Sequence, residues 1–345
     1  MRLSVIVPAR NEAVTLPACL DSLLAQSDQG FALGAEWELI VIDDDSSDGT
    51  REIAQAAAAG RQGVAVLAAS PLDLSSRGGF TGKTNACWTG AQQARGAWLL
   101  FIDADTVHEP GDLSRALHEA EKYHAALLSY SPRQIVTGFW QRAVMPLVFS
   151  ELASTYPPKQ VSSPSSPLAA ANGQFLLVER DAYFAVGGHR AVGRDILEDV
   201  ALARAIKRRH GIRFRYAPDA LSTRMYRTLP EMIEGWAKNL ALLFPNPLLL
   251  AAVQMLQFIL FFGLPALALL LPLEFSWQRW AIMVVWLRTT WGSYSRVARS
   301  HFPATDVAVS ILGVPLFVWL LLRSFLSHRV HRSVRWKGRS YTAGR

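Results

Sequence analysis

Residues 239 to 273 contain no Asp, Glu, Lys or Arg. A stretch that long and that apolar is read as a bilayer span before it is read as a core helix. It divides the chain: residues 1 to 235 have the composition of an ordinary globular domain, and the last hundred residues do not. Residues 307–322 are also uncharged and would extend about 24 Å as a helix. Residues 277–293 differ, because Arg279 and Arg288 bracket only a short apolar run and Trp277, Trp280, Trp286 and Trp291 suit an interface. The expected organisation is therefore a cytosolic domain over 1–238, a membrane region over 239–326 and a basic cytosolic tail over 327–345. Within the membrane region the spans are placed at about 247–273 and 305–326, with 277–293 an interfacial segment or a third span. Two crossings keep domain and tail on one side but leave Arg296 and Arg299 outside, against the positive-inside rule.

The net charge is +7, and from Arg323 onward Arg329, Arg332, Arg335, Lys337, Arg339 and Arg345 face no acid at all. Directly after an apolar segment, such a tail is read as lying on anionic lipid, with nucleic acid excluded as the partner. Cys19 and Cys87 make no disulfide framework and fit a reducing compartment. The opening apolar run is too short for a signal peptide. The expected location is the inner membrane, catalytic domain cytoplasmic.

The first 110 residues alternate buried strands with helices. "LSVIVPA", "WELIVID", "GVAVLAA" and "AWLLFIDAD" are continuous β-branched or apolar runs. Between them lie "NEAVTLPACLDSLLAQS", "REIAQAAAA" and "KTNACWTGAQQA" at helical spacing. That order predicts an α/β fold with a mostly parallel sheet and helices on both faces. "SPLDLSSRGGFTG" reads as a loop. Residues 134–154 are apolar and aromatic, fit for a membrane interface or a groove wall. Residues 155–168, rich in Pro and Ser, read as a loop long enough to be a lid.

In doubly wound folds ligands bind at the carboxyl ends of the strands, and acids gather there in this chain. Asp43, Asp44 and Asp45 end the second strand; they could accept from a nucleobase and ribose hydroxyls, or cap a turn. Asp103 and Asp105 would share one face of an extended strand, where like charges repel unless a cation lies between them. Mg²⁺ or Mn²⁺ accepts one or two carboxylates plus substrate phosphates; a polar turn is the alternative. Lys83 in "TGKTNA" opens a helix and could meet phosphate, or be a plain helix start. Glu198 and Asp199 could hold a general base, or serve the helix dipole. Arg224 and Arg227 could hold phosphate, or lie at the approach to the membrane.

Taken together these segments resemble family 2 glycosyltransferases of the GT-A fold. "SVIVPARNEAVTLPACLDSLLAQ", "ELIVIDDDSSDGT", "GKTNA", "LLFIDADT", "ANGQFLLVERDAYFAVGG" and "LEDVALA" occur in the family's order. "GWAKNL" (235–240) and "WKGRSY" (336–341) look like the membrane-bound branch that includes bacterial carotenoid and hopanoid-associated enzymes, with ceramide glucosyltransferase more distant. The resemblance implies a GT-A nucleotide-diphospho-sugar transferase fold with C-terminal membrane helices. It implies that Asp44 meets the nucleobase, flanked by Pro8, Arg10 and Glu12. Asp103 and Asp105 would form the metal motif, Asp105 the firmer ligand. Asp199 would be the base of an inverting displacement, and Asn172, Gly173 and Gln174 would line the acceptor side. The donor would be a nucleotide-diphosphate sugar, a UDP-sugar first, and the acceptor a lipid. In "RMYRT" Thr228 replaces the family's membrane-proximal tryptophan. A polyprenyl-phosphate sugar synthase and a non-catalytic scaffold are the rival readings.

Overall fold

The computed structural model describes residues 1–71, 81–270, 276–331, 333–336 and 339–342. Most of the loop expected at 70–82 and parts of the basic tail therefore lie outside the described residues. The chain forms two compact units, Met1–Ile135 with Tyr156–Met225, and Val136–Thr155 with Tyr226–Arg345. The boundary expected at 238 falls inside a helix of the second unit.

The first unit begins β1 (Leu3–Ala9), α1 (Leu16–Leu24), β2 (Trp37–Asp43), α2 (Thr50–Ala58), β3 (Val64–Ala68), α3 (Gly82–Gln93) and β4 (Trp98–Ile102). It continues with β5 (Thr106–His108), α4 (Asp112–Lys122), β6 (Ala125–Ser131) and β7 (Arg133–Gln134). The second unit inserts α5 (Phe139–Thr155). The first unit then resumes with α6 (Pro158–Ser162), β8 (Phe175–Glu179), α7 (Arg180–Ala185), α8 (Gly188–Ala191), α9 (Glu198–Lys207), β9 (Gly211–Tyr216) and β10 (Leu221–Thr223).

Seven strands form the main sheet in the order β3-β2-β1-β4-β8-β6-β9. The expected parallel pattern holds across β1, β2, β3 and β4, while β8 runs antiparallel to both its neighbours. Alternation divides the strand residues between two cores. Val5, Val7, Leu39, Val41 and Leu100 meet Leu16 and Leu20 of α1 and Leu117 of α4 on one face. Ile6, Ile40, Ile42 and Phe101 meet Ala86 and Ala91 of α3 and Leu202 of α9 on the other. The second contact is close: a Cβ on Gly90 would lie 2.5 Å from Ile6 Cγ2, so only glycine lets α3 lie on β1.

Two local expectations change. The strand carrying the acids stops at Ile102, so Asp103, Ala104 and Asp105 form a turn and not an extended pair. The Pro/Ser stretch is not wholly irregular. It contains α6, and Lys207 Nζ donates to the carbonyls of Val161 and Leu168. The Ser162 hydroxyl accepts from Phe214 N–H (3.0 Å), so this segment is fastened to β9.

The second unit adds α10 (Leu229–Leu243), α11 (Pro247–Leu270), α12 (Ser276–Val297), α13 (Ala304–Leu326), β11 (Ser333–Trp336) and β12 (Arg339–Thr342). The last two pair as a hairpin. Among the described residues two helices are long and apolar enough to cross a membrane, Pro247–Leu270 and Ala304–Arg329. The segment expected at 277–293 lies within one continuous helix, α12. The apolar run at 134–154 becomes α5, whose Ala143 backbone lies so near α13 that a Cβ on Gly313 would sit 2.4 Å from the Ala143 carbonyl oxygen. Arg142 Nε and Asp306 Oδ1 close the same pair of helices at 2.6 Å. Trp236 is buried in this unit, its indole N–H donating to Met145 Sδ (3.3 Å).

Candidate active site

The loops that leave β1 and β2 are stitched to each other. Glu12 N–H donates to Thr50 Oγ1 (2.8 Å), Ala13 N–H to Asp48 Oδ2 (3.1 Å) and Ser47 N–H to Asn11 Oδ1 (2.8 Å). Asn11 and Asp45 take positive φ of 52° and 58°, which Asn and Asp tolerate better than most side chains. Arg10 Nη1 donates to the carbonyls of Asp44 (2.5 Å) and Asp45 (3.1 Å), and its guanidinium is 3.6 Å from Asp45 Oδ2. Asp43 and Asp44 are both buried, and Asp43 Oδ1 accepts from Ser46 N–H (3.3 Å). Asp43 is thus a turn-former, and Arg10 a brace for the strand end that carries Asp44.

Deeper along the same sheet edge, Lys83 stands between two acids. Its Nζ is 2.7 Å from Asp103 Oδ1 and 3.2 Å from Glu198 Oε1. Thr81 caps α3 through Thr84 N–H and so fixes the turn that aims Lys83. Burial works against the ammonium, but Asp103 and Glu198 hold it well above the usual lysine range. Asp199 is adjacent. Gly173 N–H donates to its Oδ2 (2.8 Å) and Val200 N–H to its Oδ1 (2.8 Å). Burial first, and then the Glu198 charge, push Asp199 up to about 6, with Lys83 and the two N–H groups pulling the other way. A carboxylate there is a base near neutral pH. A Cβ on Gly173 would lie 3.0 Å from Lys83 Nζ, so glycine leaves the ammonium room there.

Pro8, Lys83, Asp103, Gly173, Glu198 and Asp199 line one cleft, so the structure brings together residues from distant segments of the chain. Gln174 does not join them: it is 3% exposed and its amide donates to Thr223 Oγ1 (3.4 Å). Asn172 braces that turn, its Oδ1 accepting from Gln174 N–H (3.0 Å). Arg224 belongs to the first unit and Arg227 to the second, where Arg227 N–H donates to Glu231 Oε2 (2.8 Å).

Sequence reasoning missed two supports. His189 lies at the back of the cleft against Phe101, and burial lowers it to about 4, so it is neutral there. No spacing in "AVGGHR" marks it. Below the acid turn, the Thr106 hydroxyl donates to the Asp103 carbonyl (2.8 Å). His108 Nε2 is 3.0 Å from Thr106 Oγ1, and its Nδ1 is 2.6 Å from Asp112 Oδ2. His108 and Asp112 are fully enclosed, so this chain of contacts sets the Asp103–Asp105 turn from beneath.

The cleft is rich in acid for its single lysine, and a diphosphate would add negative charge. That donor set suits a hard divalent cation. Among the described residues no group of three or more His, Cys, Asp or Glu is spaced to hold one. A site of one or two carboxylates completed by phosphate oxygens needs no such group.

The profile described as "Glycosyl transferase family 2" matches residues 4–200. The 4,4'-diaponeurosporenoate glycosyltransferase of Staphylococcus haemolyticus is 28% identical, over 99% of this chain and 88% of its own length. The protein of that name from Staphylococcus aureus strain MRSA252 is 25% identical over the same shares. Among solved structures, a mannosyltransferase from Pyrobaculum calidifontis in complex with GDP-Man and Mn2+ superposes with a TM-score of 0.58. It is 15% identical, over 96% of this chain and 88% of that one, which establishes a shared fold.

Proposed function

Because the chain belongs to glycosyl transferase family 2, we propose that it moves a sugar, with inversion, from a nucleotide-diphosphate sugar to a hydroxyl of an amphiphilic membrane acceptor. The observation that carries this reading is Asp199, fixed by Gly173 and Val200 beside the Lys83–Asp103 pair.

Asp199 takes the proton of the acceptor hydroxyl as its oxygen bonds to the anomeric carbon. The bond to the leaving diphosphate breaks on the opposite face. Lys83 lies where that diphosphate gathers charge, and Asp44 and the Arg10-braced loop suit the nucleoside. Asp103 and Asp105 would hold Mg²⁺ or Mn²⁺, which as a Lewis acid neutralises the diphosphate. Water exclusion falls to Pro8 and the apolar side of the cleft. The two long apolar helices support membrane attachment, with the sheet unit and the tail on the cytoplasmic side. The relatives named for a carotenoid acid support a lipid-like acceptor, and a UDP-sugar is the proposed donor.

The deciding experiment is calorimetric binding of a nucleoside diphosphate panel to the full-length protein, with and without Mn²⁺, for wild type and Asp105→Ala. One nucleotide bound only with metal, and lost in the variant, is the expected result. Absence of binding by well-folded protein would sink the reading.

The relatives' acceptor favours a second reading. Diaponeurosporenoate is named as a carboxylate, and a carboxylate oxygen attacks without losing a proton. Asp199 would then matter little, and the rate would not rise through pH 6.

A further inference from the structure

α12 is built inside out. Trp277, Trp280, Val284, Leu287 and Trp291, spaced three and four apart, are each more than half exposed. That stripe is what a helix presents to lipid. Beside the stripe run Arg288, Gly292 and Arg296, one residue per turn, which border a cavity of about 360 Å³ within the helical unit. Ligand pockets start at about 300 Å³.

The cavity has two kinds of wall. Leu147, Phe261 and Val314 are apolar. Facing them, Glu151 Oε1 accepts from Gln254 Nε2 (2.9 Å) and lies 3.4 Å from Arg296 Nη1. Glu151 thus balances Arg296, while Arg288 has no ion-pair partner among the described residues. The Thr290 hydroxyl is buried with no hydrogen-bond partner among them. Arg288 is exposed at the rim of the cavity, where a charged head group can reach it from outside. This lining is one positive charge in excess, and a Cβ on Gly292 would meet nothing within 4 Å.

We propose that this cavity binds an amphiphile with a singly negative head group, carboxylate or phosphate, its head at Arg288 and its chain along Phe261 and Val314. It rests on the amphiphilic-acceptor reading above and names that acceptor's charge. No bond forms or breaks in this step; it is recognition alone.

The test is fluorescence binding of cis-parinaric acid and its methyl ester to the full-length protein in detergent. The acid is expected to bind about tenfold tighter than the ester, the difference a charge contact makes. Arg288→Gln should erase the difference, and Gly292→Leu, which fills the cavity, should weaken both probes. A phosphatidic acid should displace the probe and inorganic phosphate should not. Equal binding of acid and ester, indifference to both variants, or displacement by inorganic phosphate would overturn the proposal. Nucleotide binding is measured on the same samples. Its failure with parinarate binding intact counts against the donor-site reading alone; the reverse counts against this proposal alone.

Discussion

The sheet-edge cleft and the cavity of the helical unit both gather charge, with opposite surplus. In the cleft, Asp103, Glu198 and Asp199 surround one cation, Lys83. In the cavity, Arg288 and Arg296 face one acid, Glu151. A local surplus of one sign draws a ligand of the other. The first surplus calls for a cation and raises the basicity of one carboxylate. The second calls for an anion.

Asp199→Asn attacks the cleft's surplus where it does chemistry. With a hydroxyl acceptor, kcat should fall by about 10²–10⁴-fold while nucleotide binding is retained, as scored by radiolabelled sugar transfer. Wild-type kcat should rise with pH through about 6, because only the deprotonated Asp199 accepts a proton, and the variant should lose that limb. Lys83→Met deepens the same surplus. Nucleotide affinity should drop about tenfold in calorimetry. The acid limb of the rate profile should move above pH 6, because Lys83 no longer favours the Asp199 carboxylate.

Gly313→Val tests whether the helical unit is packed closely enough to hold a defined cavity. Forcing α5 and α13 apart should cost about 1–3 kcal/mol, visible as a lower Tm in detergent. An unchanged Tm would mean the two helices are not in that contact. Glu151→Gln sharpens the contrast most gently. It leaves two cations without their acid, so parinarate affinity should rise about threefold, a change of under 1 kcal/mol typical of partly exposed pairs.

Much of the sheet unit is legible in the residues alone. The β-branched runs had to be strands, and acids at their carboxyl ends had to face the ligand side. The meeting of Lys83 with Asp103 and Glu198 could not be read, because it depends on how α3 and α9 enter the sheet. The expected strand geometry for Asp103 and Asp105 failed because β4 ends at Ile102 and the Thr106–His108–Asp112 chain folds the acids into a turn. Nothing in "HEPGD" marks His108 and Asp112 as partners, since side chains four apart there are equally those of a surface turn. The apolar character of α5 is plain in its residues, yet its membership of the helical unit is set by partners far along the chain.

That separation has a consequence for synthesis. Arg142 and its partner Asp306 are 164 residues apart. At roughly 5–20 residues per second, α5 leaves the ribosome roughly ten to thirty seconds before α13 exists. Through that interval Ala143 lacks the α13 backbone that packs against it in the folded protein. The nascent helix must be held by the bilayer surface or by a chaperone. A chain cut before residue 304 would keep that orphaned face permanently.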